Sequence, residues 1–217
     1  MAGLVVLLAA GYALVPSDKP DANVDWVARV GLRLANNSAV ASVPDGLGGV
    51  FSVGLARSVD DHPVSLDGMR DTSLDRLDVF ILYFSHAGRL IWHTHSFQGA
   101  NGANCEGRSI VADGSGGALV IGHFRGTAFF GSTLLTSIGT GRDVFVLHVT
   151  SSGVIDWAVQ TASHDYIYGL DIVPDGSGGA LVGGHFRGTL LFNSTLLTSI
   201  GTGRDVFVLH VTSSGVI

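Results

Sequence analysis

Cysteine is nearly absent: Cys105 stands alone in a chain of 217 residues. One thiol cannot build an intrachain disulfide framework, and the spacing of elements puts Cys105 in a loop or half-buried between repeat units. Charge is scarce as well, at 14% of residues with a formal net charge of −6, and no Lys/Arg cluster occurs. That argues against a nucleic-acid partner, which needs a basic patch to neutralise phosphates. Apolar spacing at the helical period is missing, so the chain is not expected to be helical. A membrane-spanning run is missing too. The longest apolar stretch, Ala2–Val15, is well short of the ~20 residues a transmembrane helix needs. It reads equally as a signal-peptide core ending near Gly11-Tyr12-Ala13, although no Lys or Arg precedes it, or as a buried strand of an earlier repeat unit.

What the chain has is apolar residues and glycine. Hydrophobic residues make up 46%, too many for a disordered segment, and the 31 glycines sit mostly beside Asp, Ser or Asn. This is turn chemistry. The dominant feature is a duplication: residues 113–155 return at 175–217, differing only where Ile121, Ala128, Phe129 and Gly131 are replaced by Gly183, Leu190, Leu191 and Asn193. A fixed period of this kind denotes a repeat architecture.

Within one period, four strand-like stretches are predicted: Ser109–Ala112, Ala118–Phe124, Asp143–Val149 and Val154–Gln160. The turn Asp113-Gly114-Ser115-Gly116-Gly117 closes the first hairpin, and Ser151-Ser152-Gly153 the last. Alternation along the second stretch places Leu119, Ile121 and His123 on one face and Val120 and Phe124 on the other. Asp143–Val149 is apolar on both faces, as a strand between two packed sheets would be. Gly126–Arg142 reads as a connection. Upstream the same order recurs in looser form, with the Asp45 turn, the strand Asp78–Phe84 and Trp92; Trp26 occupies the Trp position once more. The expected organisation is an apolar head and linker over 1–21, a lone strand over 24–31, two units over 38–97 and 107–162, and a third over 169–217 without its Trp strand.

Four antiparallel strands per unit, apolar on both sheet faces, are what a β-propeller blade requires. The expected fold is therefore all-β, a propeller-like array of about three blades. Because a closed ring takes roughly 4–8 blades, the chain is expected to be part of a longer array, with self-association into a ring or an open arc as the alternatives if three units are the whole. The unit resembles the SBBP-type β-propeller repeat through Asp113, Gly116, Val120, Gly122, Phe124, Gly126 and Thr127, then Asp143-Val144-Phe145-Val146, Ser151-Ser152-Gly153 and Trp157. It departs from that pattern at Gly117, at Ile121 or Gly183, and at Tyr83, His148 or His210. The resemblance implies a repeat-rich, often extracytoplasmic protein with no catalytic residues to carry over.

The candidate chemistry is thin. His123/His185 and His148/His210 recur with the repeat and are expected to serve packing or hydrogen bonding between blades. His93 and His95 share one strand face, but no third ligand stands at a zinc-like spacing. Asp45, Asp113 and Asp175 are read as turn caps, because a calcium loop needs further oxygens at alternating positions. No phosphate loop and no nucleophile elbow occur. Neither a metal nor a cofactor is expected. The divergent connections Phe97–Arg108, Thr161–Tyr168 and Ala56–Leu77 supply the candidate binding residues: Asp60, His62, Arg70, Asn104, Glu106, His164, Asp165, Tyr166 and Tyr168. The expected function is a non-enzymatic scaffold for a protein partner, extracellular or at the cell surface and without membrane association. A carbohydrate-binding propeller using His123 and His185 is the alternative, and a catalytic cleft at His164 and Asp165 the least favoured.

Overall fold

The computed structural model describes residues 35–58, 65–66, 69–70, 77–98, 104–139, 141–163, 165–192 and 194–217. Ala2–Val15, the Trp26 strand, Asp60, His62 and His164 lie outside the described residues. Among those described there is no helix; eighteen strands pair antiparallel throughout.

The first unit comprises β1 (Ala35–Pro44), β2 (Val50–Ser58), the short pair β3 (Ser65–Leu66) and β4 (Met69–Arg70), β5 (Leu77–Phe84) and β6 (Leu90–Gln98). The second runs through β7 (Asn104–Ala112), β8 (Ala118–Arg125), β9 (Thr127–Phe130), β10 (Thr133–Thr136), β11 (Asp143–Val149) and β12 (Ile155–Gln160). The third follows with β13 (Ala162–Ser163), β14 (Tyr166–Pro174), β15 (Ala180–Arg187), β16 (Thr189–Phe192), β17 (Thr195–Thr198) and β18 (Asp205–Val211). The main sheets are meanders: β1-β2-β5-β6, β7-β8-β11-β12 and β14-β15-β18.

The sheets stack in chain order, because each has two apolar faces and no single neighbour can cover both. Val120, Phe124, Phe145 and Leu147 of the second sheet pack against Phe51, Val53, Val79 and Ile81 of the first. Leu119, Ile121, Val144 and Val146, one residue out of phase, pack against Ile172, Val182, Phe186 and Phe207 of the third. The predicted alternation along β8 is what divides these two cores.

The structure departs from the sequence expectation in two ways. The stretch Gly126–Arg142 is not a plain connection, since it holds the hairpin β9–β10. That hairpin pairs with the preceding unit: Ser96–Gln98 of β6 bond to β9, while the earlier part of β6 bonds to β5. In the next period β13, just beyond β12, pairs with β16 in the same way. In both places the chain at or just beyond the fourth strand joins the next unit's hairpin. The second departure is the length of the first strand, which begins at Asn104 rather than Ser109. A bulge at Arg108, between Gly107 and Ser109, adds one residue. Cys105 and Ile110 consequently face the same core although an odd number of positions separates them, and the period-two signal is lost. Cys105 is fully buried in this strand, where burial pushes its thiol far above the usual range.

Tryptophan ties the stack together. The Trp92 indole Nε1 donates to the Ser151 carbonyl at 2.9 Å, and Trp157 donates to the Ser213 carbonyl at 3.0 Å. Each ring lies over the glycine of the following unit's last turn; a Cβ on Gly153 would come within 2.8 Å of the Trp92 ring.

Candidate functional site

The repeated polar side chains mostly serve their own unit. Asp113 Oδ1 accepts from the amides of Ser115 and Gly117 at 2.7 and 2.9 Å, and its Oδ2 accepts from His148 Nε2 at 3.0 Å. Asp175 repeats this with Ser177, Gly179 and His210. Asp45 does so with Leu47, Gly49 and the Tyr83 hydroxyl. The turn needs left-handed residues, and Gly114 and Gly116 supply them at φ 80° and 94°. Burial works to raise the Asp113 carboxyl, but the bonds from Ser115, His148 and the turn amides outweigh it and hold the carboxyl below its ordinary value. His148 and His210 therefore each brace a turn of their own unit and do not link one unit to the next.

At the opposite end of the sheets, β7 and β14 begin, β8 and β15 finish, and β11 and β18 start. There the second and third units meet in a polar cluster. Glu106 accepts from Arg108 Nη2 at 3.0 Å, from His123 Nε2 at 3.1 Å and from Arg142 Nη2 at 3.1 Å. Arg142 Nη1 also lies against His123 Nε2. The Tyr168 ring of the third unit meets His123 edge-on at 4.9 Å and lies 6.0 Å from the Arg142 guanidinium carbon. His123 is completely buried. Burial, with the Arg142 and Arg108 charges beside it, lowers its imidazole to about 4, although Glu106 pulls the other way, so the ring is neutral at pH 7.

The third unit carries the same His–Arg pair with different company. His185 stacks against Tyr166 and Tyr168 at 5.7 and 5.8 Å, and Arg204 lies 4.5 Å over the Tyr166 ring, within cation–π range. Burial and the Arg204 charge lower the His185 imidazole. Arg187 reaches Asp165 at 3.1 Å. Beside this end a polar recess of about 400 Å³ is lined by Asn104, Arg125, Thr127, Thr136 and Ser137.

The structure thus brings Asn104, Glu106, Asp165, Tyr166 and Tyr168 to one end of the stack. Asn104, Glu106 and the two tyrosines sit on first strands and not in loops, the bulges of β7 and β14 being the reason. Arg70 belongs to β4, paired with Ser65. Sequence reasoning missed Arg142 and Arg204. Their signal was there, in a His and an Arg recurring nineteen residues apart (His123 and Arg142, His185 and Arg204). The arrangement offers cations, aromatic faces and amide groups for recognition. No family model matches the chain, and no curated protein matches it significantly.

Proposed function

We propose that the units are blades of a β-propeller-type array, akin to the SBBP repeat, and that the protein is a non-enzymatic scaffold that binds a protein partner through the end carrying Asn104, Asp165, Tyr166 and Arg204. The observation that supports this most is a division of labour. The aspartates that repeat in every unit, Asp45, Asp113 and Asp175, hold turns with Tyr83, His148 and His210 as partners. Residues that change from unit to unit, Asn104 to Tyr166 and Glu106 to Tyr168, gather at one end beside exposed arginines. His123 is buried and enclosed by Glu106 and Arg142, whereas His185 is partly open and stacked on Tyr166 and Tyr168. The two surroundings differ, which favours the scaffold over the alternative of equivalent sugar pockets at His123 and His185.

The test is a protein array and a glycan array probed with the full chain and with a Tyr166→Ala/Arg204→Ala double variant of unchanged circular dichroism. Protein ligands whose binding weakens at least about tenfold in the variant support the reading. Ligands indifferent to the change, or a signal on glycans alone, count against it.

A further inference from the structure

The duplication contains its own control. Strands β11 and β18 have the same sequence, Asp-Val-Phe-Val-Leu-His-Val, and pair identically with β8 and β15. In β11 every side chain but His148 is buried. In β18 only Phe207, Leu209 and Val211, which face the second sheet, are buried. Val144 and Val146 are 0% and 2% exposed, whereas their counterparts Val206 and Val208 are 78% and 71% exposed. Leu119, fully buried, corresponds to Leu181 at 42%. With Val173 at 48%, these side chains form an exposed apolar patch, bordered on the same face by Asp171, His185 and His210, of the kind that marks an interaction site.

What covers such a face is visible one unit earlier. Leu119, Ile121, Val144 and Val146 are capped by β14 and the sheet behind it, through Ile167 and Ile172 on either side of the bulge and through Val182. We infer that the outer face of the third sheet is a docking site for one more sheet of this repeat pattern, stacked in the same sense, with branched aliphatic residues flanking a first-strand bulge. A second copy of this chain fits less well. At the positions of Ile110/Ile172 and Val120/Val182, its first unit has Ser42 and Ser52, whose hydroxyls bond to each other at 3.0 Å, and Ser52, Leu82 and Phe84 of that face are already buried. The face also has a notch: Gly183 replaces Ile121, and a Cβ there would meet nothing within 4 Å. The incoming sheet therefore carries a larger side chain opposite Gly183 than the third unit sets opposite Ile121. The inference stands on two duplicated faces, not on what the variable end recognises, so its failure leaves the scaffold reading intact.

The test extends the full chain by one period, with a second Asp156–Ile217 segment placed after Ile217, and introduces Val208→Cys to report on the face. The native Cys105 is buried and stays silent to alkylation. Alkylation at position 208 is expected to slow about tenfold or more on extension. It is expected to recover when the appended copies of Ile167 and Ile172 are both changed to Asp, and amide exchange in β8 and β11 verifies that every chain is folded. Gly183→Ile should raise the Tm of the extended chain by more than that of the original chain, where only the removal of a strand glycine contributes. Fast alkylation in the folded extended chain would overturn the inference. So would protection in the original chain that grows with concentration alongside a dimer mass, since a second copy would then be the occupant.

Discussion

At the scale of single residues, His123 is a buried imidazole held far from its behaviour in water. An imidazole that titrates at about 4 when folded and at 6.5 when free takes up a proton more readily in the unfolded chain. Its contribution is therefore complete above pH 6.5 and drains away as the pH falls from 6.5 towards 4, on the order of 3 kcal/mol for a shift of this size. Urea midpoints at pH 7, 5.5 and 4.5 should show that loss in the parent chain and a shallower one in His123→Gln. Equal slopes would mean that His123 is not the group responsible. Asp45, Asp113 and Asp175 act in a lower window. Their depressed carboxyls contribute stability that persists above the ordinary carboxylate value of 3.8 and is lost as the pH falls below it. The candidate site was legible at this scale only as variability. The exchange of Glu106 for Tyr168 is visible in the sequence, but that both abut His123 depends on two sheets meeting.

At the scale of elements, the turns and most strands were legible because they rest on short-range chemistry: glycine at positive φ, an Asp cap, and alternation. The β9–β10 hairpin was not, because its partner, Ser96–Gln98, lies in another unit. The start of β7 was hidden by its bulge. The Trp clasp gives this scale its prediction. Gly114 and Gly153 have nearly the same φ, 80° and 84°, but a Cβ on Gly114 meets nothing and one on Gly153 meets the Trp92 ring. Gly114→Ala should cost about 1–2 kcal/mol for left-handed backbone alone, and Gly153→Ala about 1–3 kcal/mol more for displacing the indole. Denaturation midpoints give the difference, and tryptophan fluorescence shows whether the ring has moved. Equal costs would mean that the clasp yields freely.

At the scale of the whole molecule, stability lies in the contacts between sheets, so equivalent positions cannot be equivalent in energy. Val146→Asp places a carboxylate between two sheets and should cost several kcal/mol. Val208→Asp, the same change in the same heptapeptide, should stay within about 0.5 kcal/mol. Thermal unfolding of both variants decides this, and a comparable loss of Tm in the two would show that the outer face of the third sheet is already covered.

The sequence alone determined the all-β character, the period, the turn geometry and which residues alternate across a strand, since each follows from interactions within a few residues. It also held the identity of the two heptapeptides Asp143–Val149 and Asp205–Val211. Only the tertiary structure decided that one is buried on both faces and the other on one, that the chain at or just beyond the fourth strand joins the next unit's hairpin, and that Glu106, His123, Arg142 and Tyr168 share a site. Burial depends on what stands opposite a side chain, which in a stack of sheets comes from another unit. The Glu106–His123–Arg142 cluster depends on segments that are distant in sequence though they belong to one unit.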